Sequence, residues 1–451
     1  MIPSIDQVKF RDYGSIMSVH NVWNRLNMPE LLNELANSRS ISKLLYSGSF
    51  TVTLPMFDLP LTEVQLHLKI TDHITPGYLP RSLITLEIQG VYDRSFDGGV
   101  LPSGLKSLNL GQCEQWNQPI GPDTLPSQLE QLVFGPSFNL PINPRVLPAT
   151  LMTLVFGSAF DQPLDTHQDI LPATLTCLGL RESAFNLPLV GLPPTVTELT
   201  LSQTYTQPII AHQSLLLLNI ECYPLFRSNV DIFTNLQEIE IVADLPSLPA
   251  ITSSAFPNLV ELNIDQFIGD GPLDLSALPT SLRRLYLQTE RPLTGIPHGI
   301  EMLFICFVPR NDHIVYDELS NNLVPDSVTS LYLTLNNPIN VGDIPSSVTR
   351  LQLEGYEHRL NVAEVIPKSV RKLLLRGYRH EINSEFLRQL PETVSRLSVG
   401  INDYLDQMQH LLRLSDTLFF NYQQNLQSTG FINIDRVHES LAGNKLLNNL
   451  L

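Results

Sequence analysis

Glu238 and Glu240 are carboxylates one residue apart, a spacing that invites acid–base chemistry when an enclosing cleft drives two such pKa values apart. Phe96 to Val100, FDGGV, carries the paired glycines of a loop that could cradle phosphate. Cys113, Cys177, Cys222 and Cys306 are the candidate nucleophiles and metal ligands. They lie far apart with no CxxC pair, so neither a zinc site nor a disulfide framework can be read from them, and they fit a reducing compartment. No GxxxxGK[ST], GxGxxG after a strand, HExxH, GxSxG or EF-hand string occurs. The remaining chemistry is that of binding. Arg284, Tyr286, Met302, Phe304, Tyr332, Arg350, Lys372 and Arg396 gather cations and aromatic rings in the later part of a chain whose net charge is −17.

What positions these residues is a period. A proline ahead of an LxxLxL string returns as LPRSLITLEI, LPSGLKSLNL, LPSQLEQLVF, LPATLMTLVF, LPATLTCLGL and LPPTVTELTL, with prolines at 80, 102, 126, 148, 172 and 193, 21 to 24 residues apart. LPTSLRRLYL, VPDSVTSLYL, IPSSVTRLQL, IPKSVRKLLL and LPETVSRLSV keep the beat later on. Between 193 and 279 the proline is mostly lost, yet SLLLLNI, NLQEIEI and NLVELNI hold the apolar string in register. A period of 20 to 29 residues carrying LxxLxL marks a leucine-rich-repeat-like solenoid. LxL alternates with period two, so each coil contributes a short strand to a parallel β-sheet, leucines inward and the intervening residues outward on the concave face. A leading proline suits the start of such a strand. A coil of about 22 residues leaves no room for a full helix, so the convex side is expected to be extended, looped or single-turn.

This frame reassigns the candidate chemistry. FDGGV occupies a corner of its own coil. The two glutamates fall on an open sheet face, without the cleft that acid–base catalysis needs, so no enzyme activity is expected and no cofactor or metal is implied. The outward pairs form a column: Glu63/Gln65, Thr85/Glu87, Ser107/Asn109, Gln131/Val133, Thr153/Val155, Cys177/Gly179, Glu198/Thr200, Leu217/Asn219, Glu238/Glu240, Glu261/Asn263, Arg284/Tyr286, Met302/Phe304, Ser330/Tyr332, Arg350/Gln352, Lys372/Leu374 and Arg396/Ser398. Acidic residues dominate its middle, basic and aromatic ones its later coils.

The corner half of the unit recurs as WNQPI at 116 to 120, FNLPI at 138 to 142, FDQPL at 160 to 164, FNLPL at 185 to 189 and YTQPI at 205 to 209. One aromatic per coil predicts a buried spine, and Asn117, Asn139 and Asn186 are placed to satisfy turn amides of neighbouring coils. LPxS/TLxxLxF/LG followed by FNxPI/L resembles the FNIP repeat, a leucine-rich-repeat relative found in social amoebae and giant viruses. The resemblance is strongest over 101 to 209 and fades to its strand half through 401; LNNPI at 335 to 339 has lost the aromatic. It implies a protein-interaction module without catalytic residues.

The expected organisation is an N-terminal helical cap over 1–50, a solenoid of about sixteen coils over 51–401 and a C-terminal helical cap over 402–451. YLDQMQHLLRLSDTLFFNYQQNLQ, at 404 to 427, places Leu405, Met408, Leu412 and Phe419 at helical spacing after Asn402 and Asp403. SIMSVHNVWNRLNMPELL resembles the second half of an F-box, about ten residues short of the usual distance, which would make the chain an adaptor of a cullin-type ubiquitin ligase. RKLLLRGYRH, at 371 to 380, has the charge of a calmodulin target, although the repeat frame makes it a strand and corner. Composition sets the rest. With 43% hydrophobic and 16% charged residues, the chain is ordered. Its acidity argues against nucleic acid and anionic lipid as partners. The polar MIPSIDQVKFRDYG and the absence of a run of about 18 apolar residues suit a soluble cytoplasmic protein. A partner protein is therefore the expected ligand of the concave face.

Overall fold

The computed structural model describes residues 16–20, 43–47, 62–68, 73–96, 98–164, 169–210, 212–222, 232–269, 271–308, 319, 323–335, 337–400, 408–423 and 429–434. The chain divides into two compact units, Met1–Arg227 and Ser228–Leu451.

In the first unit ten short strands pair in parallel and in chain order: β1 (Ile16–His20), β2 (Lys43–Ser47), β3 (Glu63–Leu68), β4 (Thr85–Gly90), β5 (Ser107–Asn109), β6 (Gln131–Val133), β7 (Thr153–Val155), β8 (Cys177–Leu180), β9 (Glu198–Leu201) and β10 (Leu217–Ile220). The register is that of the repeated word: Leu132 lies beside Leu154 and Leu154 beside Leu178, all fully buried. The leading proline opens a turn instead of the strand itself. Pro126 accepts from the amide of Leu129, as Pro148 does from Leu151, and the strand starts five residues after the proline. The Ser or Thr two residues on is also dictated by stacking. The hydroxyl of Thr150 donates to the carbonyls of Ser127 and Leu129, that of Thr174 to Ala149 and Leu151, and that of Thr195 to Ala173 and Leu175.

The aromatic spine forms as expected. Phe96, Trp116, Phe138, Phe160, Phe185 and Tyr205 stack with centroid spacings between 5.5 and 6.3 Å, all buried. Phe134 and Phe156 add a second ring against Phe138 and Phe160, at 4.0 and 3.7 Å. Beside the spine runs a side-chain ladder. Asp93 accepts from the amide of Asn117, Asn117 from that of Asn139, Asn139 from that of Asp161, Asp161 from that of Asn186, and Asn186 from that of Thr206. Gly157 is required where coils approach, because a Cβ there would collide with the Gly135 carbonyl.

The second unit opens with β11 (Glu238–Leu245) and β12 (Glu261–Phe267). A two-residue outer strand, β13 (Leu273–Asp274), precedes β14 (Arg284–Thr289), and its partner β15 (Leu293–Thr294) precedes β16 (Met302–Phe307). Then follow β17 (Ser330–Thr334), β18 (Arg350–Glu354), helix α1 (Val362–Val365), β19 (Lys372–Arg376), helix α2 (Ser384–Gln389) and β20 (Arg396–Gly400). The long strands again pair in parallel. Where the FNxPI half is missing, other groups hold the outer corners. The Arg291 guanidinium donates to the carbonyls of Gly271, Pro246 and Pro272. Buried Tyr356 and Tyr378 replace the lost aromatics, each hydroxyl accepting an outer-loop amide, from Ile339 and Leu360. Outside the sheet, only one-turn α1 and short α2 are helical, among the described residues.

Both helical caps need correction. Ile16–His20 and Lys43–Ser47, within the expected N-terminal cap, are strands continuing the parallel ladder. The strand at Ile16–His20 also lies where the F-box resemblance puts a helix ahead of Trp23; residues 21–42 lie outside the described residues. At the other end, β21 (Gln409–Arg413), β22 (Leu418–Gln423) and β23 (Gly430–Asn433) add antiparallel to β20. Residues 404–407 and 424–427 of the expected helix lie outside the described residues. Turn chemistry overrides its spacing: the Ser415 hydroxyl accepts from the amides of Thr417 and Leu418, closing a hairpin, and the edge of β20 gains a partner. Arg413 locks this cap onto α2, donating to the carbonyls of Leu387 and Leu390 with its guanidinium over the Phe419 ring. Lys372–Arg376 is a strand with Leu373 and Leu375 buried, so the calmodulin-type reading of 371–380 lacks the amphipathic helix it needs.

Replacing Phe160 with Ala removes a ring from the middle of the spine and should destabilise the first unit by about 3–5 kcal/mol. Asn139→Ala strips the acceptor from Asp161 and should cost about 1 kcal/mol. Urea unfolding followed by Trp116 fluorescence reads both, and an Asn139 variant as costly as the Phe160 variant would contradict a spine-centred core.

Candidate functional site

Every outward pair read from the sequence in the second unit lies in register with its neighbours. One row runs Glu238, Glu261, Arg284, Met302, Ser330, Arg350, Lys372, Arg396, and the next runs Glu240, Asn263, Tyr286, Phe304, Tyr332, Gln352, Leu374, Ser398. The alternate residues, from Leu285 and Leu287 through Leu397 and Val399, are buried, which turns the two rows outward. Ser330 and Ser398 are nonetheless covered by their neighbours, at 6% and 4% exposure.

The eight site residues divide into three groups. Arg284 is paired: its guanidinium binds the Glu261 carboxylate across the strands, which holds the guanidinium charged. Tyr286, Met302, Phe304 and Tyr332 form a half-buried cluster, the Tyr286 hydroxyl donating to Met302 Sδ at 3.0 Å and the three rings following one another at 6.1 and 6.2 Å. Burial, then the Glu261 charge, pushes the Tyr286 phenol up, so it stays a neutral donor. Arg350, Lys372 and Arg396 form the third group, exposed and in register on three adjacent strands. Among the described residues no carboxylate pairs with them, whereas their strand neighbour Arg376 reaches Glu354 at 3.2 Å.

The antiparallel cap extends this face with residues the sequence reading missed. Arg396 lies opposite Leu412, Leu412 opposite Phe420 and Phe420 opposite Phe431; in the second row Ser398 is followed by His410 and Tyr422. Phe431 is 66% exposed and its ring meets Phe420 at 5.3 Å, while Phe420 and Tyr422 stack at 6.1 Å. The alternation of Phe420 and Tyr422 in LFFNY was the available signal, masked by helical spacing upstream. The face therefore presents three cations, unpaired among the described residues, between two aromatic groups. His410 sits at their border, its Nδ1 2.8 Å from the Ser398 hydroxyl and its ring 5.1 Å from Tyr422.

Elsewhere the candidate chemistry is inert. Burial pushes the thiols of Cys113, Cys177 and Cys222 up to about 11 and raises that of Cys306, the reverse of an activated nucleophile. Phe96 of FDGGV is a spine residue stacked on Trp116. A cavity of about 750 Å³ lies along the proline turns, lined by Leu125, Leu147, Leu171 and Leu192 under the exposed Arg145–Asp169 ion pair. Among the described residues, no group of three His, Cys, Asp or Glu could hold a metal ion, and no helix is long and apolar enough to cross a membrane.

Burial and then the Arg396 charge lower the His410 pKa. Its neutral form therefore adds stability that is complete above the ordinary histidine range and is lost as pH falls through that range towards the lowered value. Arg396→Gln removes one cause, so the His410 pKa should move upward in an NMR titration; no movement would mean that the cationic row exerts no field there.

The FNIP Repeat family matches residues 72–113, 116–157 and 335–378. No curated protein matches the sequence. Similar solved structures include CroV588, described as a novel circular leucine-rich-repeat protein, at 19% identity over 86% of this chain and 79% of that one with a TM-score of 0.38. Another is YopM from Yersinia enterocolitica WA-314, at 19% identity over 83% and 85% of the two chains with a TM-score of 0.37. The parallel ladder, the aromatic spine and the family match agree: each unit is a leucine-rich-repeat-like stack of coils, and FNIP repeats occur in both.

Proposed function

We propose that this chain is a non-catalytic scaffold that holds a partner protein on the open sheet face of its second unit. The observation that carries this reading is the row of Arg350, Lys372 and Arg396, exposed and unpaired among the described residues, on a chain of net charge −17, beside the half-buried rings of Tyr286, Phe304 and Tyr332. Like charges placed side by side on adjacent strands are destabilising, and an anionic partner relieves that cost. Half-buried rings next to exposed arginines have the composition of binding hot spots. An acidic partner segment with apolar side chains meets both demands. The soluble cytoplasm is the compartment that suits such a scaffold and its free thiols.

The test is affinity purification of the full chain from the cell that makes it, wild type against R350E/K372E/R396E, with R145E/R181E in the first unit as control. The triple variant should fold with an unchanged thermal midpoint and lose its specific partner, and the control should retain it. Equal recovery by the folded triple variant would overturn the proposal.

A further inference from the structure

We infer that the segment recognised here has a fixed order of chemistry: an acidic centre flanked on both sides by large apolar residues, lying extended across the strands. The inference rests on the proposal above and deepens it. Its basis is the order of side chains along the paired register. From β17 to β22 one row reads Ser330, then the cations Arg350, Lys372 and Arg396, then Leu412 and Phe420, each on the next strand, and Tyr332 stands at the Ser330 end in the adjacent row. The cations are thus enclosed by aromatic surface at both ends, and Phe431 extends the far end beyond Phe420 at 66% exposure.

Spacing converts this order into a ligand. Neighbouring strands lie about 4.8 Å apart, so the five steps from β17 to β22 span about 24 Å, which an extended chain rising about 3.3 Å per residue covers in about seven residues. The three cations occupy about 10 Å of that track. Side chains of an extended ligand that point to one side recur about every 6.7 Å, so two carboxylates at alternate positions lie within reach of all three cations. Large apolar residues a few positions before and after them then reach the Tyr332 and Phe420 groups. A uniformly acidic stretch leaves both aromatic groups uncovered, and a segment with an apolar centre leaves the cations buried without partners, which is the costlier mismatch.

An anionic lipid surface offers negative charge and apolar depth as well. It is disfavoured by the acidic residues at the start of the same two rows, Glu238, Glu240 and Glu261, which a flat anionic surface would meet together with the cations.

The experiment uses the full chain and fluorescein-labelled synthetic peptides of about twelve residues, read by anisotropy. One peptide carries alternating Asp at its centre with Leu and Phe on both sides; the other has the same composition with the acids at its ends and the apolar residues at its centre. The ordered peptide should bind about tenfold more tightly, the contribution of one well-placed anchor. F420A/F431A and F304A/Y332A should each remove that advantage, and R350E/K372E/R396E should abolish binding of both. Equal binding of the two peptides, no binding of either, indifference to F420A/F431A, or triad-dependent sedimentation with phosphatidylserine vesicles in place of peptide binding would each overturn the inference. Triad-dependent partner capture that persists beside such a result leaves the scaffold proposal standing; triad-independent capture removes both.

Discussion

Each coil of this protein completes its backbone hydrogen bonds with the coil beside it, and every other regularity follows from that obligation. The carbonyl of Ile84 receives the amides of Lys106 and Ser107, that of Lys106 receives Glu130 and Gln131, and in the second unit Thr349 receives Arg371 and Lys372 in the same way. A buried amide cannot remain without a partner. Equivalent residues of successive coils are therefore held side by side, and the repeated letters are those that tolerate standing beside themselves: leucine on leucine, ring on ring, a threonine hydroxyl over the carbonyls of the coil before, an asparagine oxygen under the next coil's amide.

The same constraint acts on letters the repeat does not dictate. A cation on one strand stands beside whatever the next coil places there. Where that is a carboxylate the pair is satisfied in cis, as with Arg284 and Glu261 or Arg376 and Glu354. Where it is a second and then a third cation, the charge remains available, and the sheet cannot relieve it by slipping, because a one-residue slip would turn Leu351, Leu373 and Leu397 outward. Register thus preserves an electrostatic feature that a freer chain would fold away.

Sequence patterning made this face legible down to individual residues, since period-two alternation and a 22-residue beat leave one register. The spine and the asparagine ladder were legible for the same reason. The hydroxyl ladder was not foreseen, because one Thr in a turn has no visible purpose until its neighbour's carbonyls are in place. The ends were misread for a physical reason as well. Leu405, Met408, Leu412 and Phe419 satisfy helical spacing, but the open edge of β20 and the turn at Ser415–Thr417 reward strand pairing more, a choice that depends on tertiary surroundings. In the middle coils Arg291, Tyr356 and Tyr378 do the work of the missing FNxPI corners from positions that the repeat pattern does not mark.

The change from parallel to antiparallel pairing at β20 and β21 bears on how such a chain can grow. Parallel coils can be duplicated indefinitely, since each new copy offers the same edge as the last. The chain reversal after Val399, fastened to α2 by Arg413, offers a different edge, so copying of coils is confined to positions upstream of it. A duplication between β17 and β20 would leave both aromatic groups intact and move them apart by one strand spacing. The length of the track is then inherited as a number of coils, and a lineage could change the reach of this surface by gene duplication alone, without redesigning either end.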